Sequence, residues 1–236
     1  MDKFKWGFIA ILTAVLLLLP WLPFSSNKVL TLMIQMFLVA SLAASWNILA
    51  GYAGQINLGH AAFFGLGSLT TRLLWLNAYP FILSFLAGGA VATLFALIIG
   101  VPALRLKGIY FSIGTLALAE MLRVTVGNVL PGISALPAPD LINYDLAPRY
   151  YLISGLWVII VGASFLISRS RIGLGIMTVR EDEDAARAIG VNVFRHKLSA
   201  FVISAFFTGL TGSAFAYYHV SYYPQFTFNP VWTFDA

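Results

Sequence analysis

Glu120 and Arg123 are two ionisable residues in an otherwise apolar stretch of the chain, TLALAEMLRVT at residues 115–125. Residues three positions apart lie on the same face of a helix, so the two side chains can form an ion pair. An ionisable group inside an apolar membrane segment is a candidate for function, because placing charge in lipid is costly. The pair could be structural, could line or gate a path, or could relay protons. We favour a structural pair, with Arg123 reaching towards the nearer membrane surface.

A second polar group lies in GYAGQINLGHAAFFGLGS, residues 51–68, where glycines alternate with Gln55, Asn57, His60 and Ser68. Glycines let helices approach closely and permit a broken backbone that can line a cavity. Two interpretations stay open. The stretch could border a translocation path, with Gln55, Asn57 and His60 beside it, or form a tight turn whose polar residues cap helix ends. His60 alone is a poor metal ligand, since no second histidine or carboxylate stands nearby at ligand spacing.

Charges of both signs concentrate in VREDEDAARAIGVNVFRHK, residues 179–197, although only 10% of the chain is charged. The acidic residues at its start complement a helix dipole, and Gly190 is expected to end that helix. Its apolar residues recur at about helical spacing: Val179, Ala186, Ile189 and Val193. Such a charge run is ordinarily a solvated loop. The apolar face needs a surface to bury against, however, so we expect a short amphipathic helix that docks on another protein.

The elements that hold these residues are predicted to be membrane-spanning helices. The chain has 236 residues, 60% of them hydrophobic, and no cysteine for disulfides or thiolate metal sites. Its mean hydropathy is +0.87. About seven apolar runs reach the length of roughly 17–25 residues that crosses a bilayer. They are residues 6–24, 29–49, 60–76, 81–104, 109–129, 151–168 and 198–219. The predicted fold is an all-α, polytopic transmembrane helix bundle, in which the first run is an uncleaved helix.

The distribution of basic residues orients this bundle. With the N-terminus in the cytoplasm, ten of the fourteen lysines and arginines fall on the cytoplasmic side, as positively charged inner loops should. The chain is then a single domain, residues 1–236, with a cytoplasmic loop at residues 169–198 and a proline-containing outer loop at residues 130–149. Arg72 lies within a run and is expected to extend its side chain to the membrane surface.

Three stretches of the chain resemble one family, the permeases of branched-chain amino acid ABC transporters, specifically the M-type (LivM-like) subunit. They are residues 45–68, beginning SWNILAGYAGQ, residues 105–123, beginning RLKGIYFSIG, and residues 169–216, which contain the charged cluster. Together they cover about two fifths of the chain, in the family's order. The resemblance implies a prokaryotic inner-membrane subunit that imports branched-chain amino acids or related small solutes.

The resemblance also implies partners and a role for the charged cluster. Permeases of this kind carry a motif of glutamate, two alanines, three further residues and glycine, which docks on the ATP-hydrolysing subunit. Residues 184–190 fit this spacing with aspartate in place of glutamate. The implied coupling residues are Glu181, Asp184, Ala185, Ala186 and Gly190. The implied partners are ABC ATPase subunits, a sister permease subunit and an extracytoplasmic solute-binding protein. ATP and Mg²⁺ are expected on the ATPase, since the chain has no phosphate-binding loop motif.

Two other classes of function remain alternatives: a secondary transporter or channel, and a membrane-embedded enzyme. An ion-gradient-driven secondary transporter or channel would need a relay of ionisable residues across the membrane, and Glu120 is nearly alone there. A membrane-embedded enzyme would need a convergent catalytic set, whereas the acids here concentrate in the cytoplasmic loop.

Family members continue beyond residue 236 with further helices, so we expect a C-terminally truncated chain. Urea, short amides and aromatic acids are alternatives to leucine, isoleucine and valine as the solute.

Overall fold

The computed structural model describes residues 20, 26–130, 132, 134–135, 142 and 144–236. The expected first span, residues 6–24, and much of the expected outer loop lie outside the described residues. The long helices are α1 (Asn27–Ala53), α2 (His60–Leu76), α3 (Phe81–Ala103), α4 (Ile109–Val129), α5 (Leu146–Ser168) and α8 (Val193–Tyr218). The short ones are α6 (Arg171–Glu181), α7 (Glu183–Ala188), α9 (Pro224–Thr227) and α10 (Val231–Phe234). Two two-residue strands, β1 (Ser134–Ala135) and β2 (Ser221–Tyr222), pair antiparallel.

The expected all-α membrane bundle is confirmed. Among the described residues, five helices (α1, α3, α4, α5 and α8) are long and apolar enough to cross a membrane, and α2 is slightly shorter at 17 residues. Two spans begin five residues earlier than their apolar runs predict. Asp145 accepts a hydrogen bond from the N–H of Ala147 and starts α5, and Asn192 does the same for Arg195 in α8. These polar caps extend each helix beyond its apolar part.

Helix α8 is the most buried of the five spanning helices, and α1, α2 and α3 pack around it. Small residues bring α2 and α8 into backbone contact. A Cβ added to Gly67 of α2 would lie 2.0 Å from the carbonyl oxygen of Gly209, and one added to Gly212 of α8 would lie 2.0 Å from that of Phe64. Such close approach is typical of glycine-lined helix interfaces in membranes.

Helix α1 and helix α2 are separated by a non-helical segment, residues 54–59, that runs back into the bundle. Gly54 begins it in the left-handed conformation, with φ +66°. Side chains of neighbouring helices satisfy its backbone: Ser112 donates to the oxygen of Ile56 (2.7 Å) and Trp46 to that of Asn57 (2.9 Å). Non-helical backbone is tolerated at membrane depth where protein surrounds it in this way.

The charged cluster folds on the cytoplasmic side as a helical hairpin, which is formed by α6 and α7. Asp182 caps α7 by accepting hydrogen bonds from Asp184 and Ala185, and these two N–H groups lower its pKa. Gly190 follows the helix with φ +86°. The expected short helix that stops near Gly190 is therefore confirmed.

The apolar residues of this hairpin do not share one exposed face. Val179, Ala186 and Val193 pack together and are buried. Ile189 is 73% exposed. The expectation that Ala186 and Val193 present a free apolar face is wrong, because both pack against Val179 of α6. Ile189 is the apolar residue of the predicted face that stays on the surface.

Two buried arginines fix the outer end of α8. Arg72 donates to the carbonyl oxygens of Ala216 (3.2 Å) and Val220 (2.6 Å), and Arg149 donates to that of Tyr217 (3.1 Å). The expectation that Arg72 extends to the membrane surface is wrong, since its side chain is fully buried. The carboxyl end of a helix carries partial negative charge, so both guanidinium groups stabilise it.

Candidate functional site

Glu120 and Arg123 form the expected ion pair on α4. Arg123 donates from Nε to Glu120 Oε2 at 2.8 Å and from Nη2 to Oε1 at 2.5 Å. The side chain of Glu120 is 44% exposed and that of Arg123 is 37% exposed. Glu120 lies eleven residues into the helix, about 16 Å from its cytoplasmic end. The pair is therefore an exposed, charged feature near the middle of a spanning helix.

Arg123 also borders an outer cavity of about 780 Å³. The cavity lies between α4 and the segment that follows α8. Its walls include the aromatic residues Phe215, Tyr218 and Phe226 and the amides Gln225 and Asn229. Among the described residues that line it, Arg123 carries the only formal charge expected near neutral pH. Apolar walls with a few polar groups are typical of small-molecule sites.

His219 and Tyr144 border the same cavity without adding charge to it. Burial, with the charge of Arg72 as a second cause, lowers the pKa of His219 to about 4. Burial raises the pKa of Tyr144, against an opposing effect of Arg149. Both groups are therefore neutral near pH 7. The charge that borders this aromatic cavity is that of Arg123, which is paired with Glu120.

Asn57 and His60 lie in a buried polar layer below this cavity. His60 Nε2 is 2.5 Å from Thr208 Oγ1, and Thr208 is about 22 Å along α8 from its cytoplasmic end. The amide nitrogen of Asn57 and Nδ1 of His60 are buried with no hydrogen-bond partner among the described residues. Buried polar atoms without partners are uncommon in native structures and call for an explanation such as water or a ligand.

Two further features flank the polar layer. Above it, the side chain of Thr233 accepts a hydrogen bond from the N–H of Ala61 (2.9 Å). Below it, Gln55 borders an inner pocket of about 350 Å³, together with Ser112 of α4. Of the three path candidates in residues 51–68, Asn57 and His60 thus lie at mid-depth and Gln55 lies on the cytoplasmic side.

The predicted coupling residues lie on the α6–α7 hairpin, with one of them facing inward. Glu181, Asp184, Ala185 and Gly190 are exposed. Glu181 pairs with Arg180, and Asp184 pairs with Arg187 at 2.6 Å. Ala186 is completely buried. Its small side chain lets α7 sit against Val179 and Val193.

Residues 28–236 match the model of a family described as "Branched-chain amino acid transport system / permease component". The chain belongs to this permease family. Two relatives, the high-affinity branched-chain amino acid transport system permease proteins LivM of Salmonella typhimurium and Escherichia coli, are each 31% identical to it. Each match covers 72% of the chain and 48% of the relative, so the chain spans about half the length of the curated relatives it matches. No solved structure matches the chain.

The permease family and the multi-pass membrane fold confirm the resemblance expected from the three sequence stretches. Sequence reasoning missed two features of the permease site. Thr208 contacts His60 across 148 residues of chain, and Gln225 lines the outer cavity from the segment after α8. Neither residue stands in a recognisable local pattern, because each acquires its place only through tertiary packing.

Proposed function

We propose that the chain is the membrane-spanning subunit of an ATP-driven (ABC) importer for branched-chain amino acids or related small solutes. Membership of the permease family and the names of the two relatives support this assignment. Beyond family membership, one observation supports a transport path through this chain: the Glu120–Arg123 pair is partly exposed, and Arg123 lines the outer cavity. The subunit would work in the inner membrane of a prokaryote.

The energetics of the ion pair favour a path or a protein interface beside α4. A single charged side chain at the centre of a membrane helix costs about 3 kcal/mol when lipid surrounds it. Glu120 and Arg123 neutralise each other, yet both stay partly exposed. Their exposed surfaces are best solvated by water in a translocation path or by polar groups of another subunit. The neighbouring residues Met121 and Val124 are also exposed, and a sister permease subunit would cover this apolar face.

The outer cavity suits a small amino acid delivered by an extracytoplasmic binding protein. The guanidinium of Arg123 matches the α-carboxylate of such a solute, and charged hydrogen bonds of this type are the stronger ones. Phe215, Tyr218 and Phe226 match an aliphatic side chain. Asn57 and His60 would then form the closed gate below, with their unpartnered nitrogens available to solute or water when it opens.

The hairpin would couple this gate to an ATPase subunit, which carries ATP and Mg²⁺. Its exposed residues, Asp184, Ala185, Ile189 and Gly190, form the proposed docking surface, while Ala186 holds α7 in place from behind. Arg180 links the hairpin to the membrane helices, because its Nη1 donates to the oxygen of Gly51 at the end of α1 (2.9 Å). Movement of the hairpin would then reach residues 54–59, which carry Asn57 and lead into His60 at the start of α2.

Substitution of Ile189 by serine tests the docking surface without disturbing the fold. Ile189 is exposed, so the fold is retained, and loss of an apolar anchor at an interface weakens binding. With the full-length subunit and its partners, we expect Ile189→Ser to reduce ATPase co-purification and uptake about tenfold or more. The matched control is Ile142→Ser, another highly exposed isoleucine, on the outer side. Unchanged ATPase retention and uptake in Ile189→Ser would show that the hairpin does not dock the ATPase.

A further inference from the structure

A second cavity, of about 510 Å³, lies at the cytoplasmic ends of α3, α4 and α8. One wall is the turn between α3 and α4, which carries Arg105 and Lys107. The opposite wall is the hairpin and the start of α8, which carry Glu183, Arg187 and Lys197. Four basic side chains therefore meet one carboxylate in this basic pocket.

The single carboxylate is already shared. Lys197 forms an ion pair with Glu183 and is almost completely buried. Arg187 lies 3.5 Å from the same carboxylate and pairs with Asp184 at 2.6 Å. Arg105 and Lys107 are exposed and form no ion pair with any residue that the structure describes. The pocket thus keeps a surplus of positive charge that is suited to an anion.

The surface next to the pocket is apolar. Leu106 separates the two free cations and is exposed, and Ile109 begins α4 with 69% exposure. Ile98 and Val101, on the last turns of α3, are also exposed, and their three-residue spacing places them on one face of the helix. A soluble anion has no apolar part that could bind to such a surface. A lipid uses both parts, since its phosphate can enter the pocket while its acyl chains lie along α3 and α4.

We propose that this basic pocket binds the phosphate headgroup of an anionic phospholipid from the cytoplasmic leaflet. Basic pockets between membrane helices on the cytoplasmic side are typical sites for such headgroups. Because Arg187 and Lys197 belong to the hairpin and to α8, the bound phosphate would connect the hairpin to the α3–α4 turn. The proposal depends on the membrane orientation of the chain and is independent of the transported solute.

Lipid binding by the full-length subunit in detergent tests the site. The variant carries Arg105→Gln and Lys107→Gln, two exposed positions whose substitution leaves the fold intact. The matched control carries Arg169→Gln and Arg171→Gln, which remove the same charge at the same spacing outside the pocket. The probes are phosphatidylglycerol and phosphatidylcholine, and retained lipid is counted by native mass spectrometry.

We expect the subunit and the control to retain phosphatidylglycerol in preference to phosphatidylcholine, and the pocket variant to bind phosphatidylglycerol about tenfold more weakly. Equal retention in all three proteins would overturn the proposal. Displacement of phosphatidylglycerol by inorganic phosphate would overturn the lipid assignment in favour of a soluble anion. A pocket variant that keeps the lipid but loses the ATPase would assign the pocket to protein docking instead.

Discussion

Arg123 holds the carboxylate of Glu120 through two parallel hydrogen bonds, at 2.8 and 2.5 Å, on a face of α4 that the rest of the described chain leaves partly uncovered. A bidentate pair of this kind is geometrically specific. An exposed pair contributes at most about 1 kcal/mol to stability. The pair is therefore better suited to orienting Arg123 at the outer cavity than to stabilising the fold.

Neutralising either member separates these two roles. We expect Glu120→Gln and Arg123→Gln to reduce uptake about tenfold or more, since each removes a charged contact. The free energy of unfolding should change by less than about 1 kcal/mol. Uptake assays and thermal unfolding of the purified subunit measure the two quantities. A large loss of stability with normal uptake per folded molecule would make the pair purely structural.

Removing the guanidinium of Arg72 should, by contrast, strongly lower the free energy of unfolding. Arg72→Met removes the donor to the buried carbonyl oxygen of Ala216 and to the partly buried one of Val220, at a cost of about 3 kcal/mol or more. The expected result is a markedly lower unfolding midpoint. Arg169→Met is the control, because that side chain is exposed near the cytoplasmic end of α5. Equal midpoints for the two variants would contradict the assigned role of Arg72.

The close contact between α2 and α8 can be tested with one methyl group. Gly67→Ala places a Cβ against the backbone of Gly209, which cannot move aside, so we expect poor folding and low membrane yield. Gly162→Ala in α5 meets no atom within 4 Å. That control should fold normally or gain about 0.5–1 kcal/mol, since alanine favours helix over glycine. Similar yields of the two variants would mean that α2 and α8 are farther apart.

His219 makes stability depend on pH over a defined window. Its pKa falls from 6.5 to about 4 on folding, so the unfolded chain binds the proton more tightly. Stability contributed by His219 is fully present above pH 6.5 and is lost as the pH falls towards 4. We expect His219→Gln to flatten this part of the curve of unfolding midpoint against pH. A curve that His219→Gln leaves as steep would contradict burial of a neutral His219.

The sequence predicts the helices well because lipid imposes a length and a polarity that are visible locally. It predicts the Glu120–Arg123 pair for the same reason, since the partners are three residues apart. It places Arg72 wrongly because the carbonyl groups that bind this arginine lie at least 144 residues away along the chain. It places Ala186 on the wrong face because Gly190 turns the chain back and buries Val193 against it.

The energy source of solute uptake decides between an ABC importer and a secondary transporter. Sealed vesicles containing the full-length subunit, its sister permease and the ATPase would be supplied with leucine and the binding protein, and energised either by ATP or by an imposed proton gradient. We expect leucine to accumulate with ATP alone and not with the gradient alone. Accumulation that follows the gradient without ATP would contradict this expectation and would make the chain part of a secondary transporter.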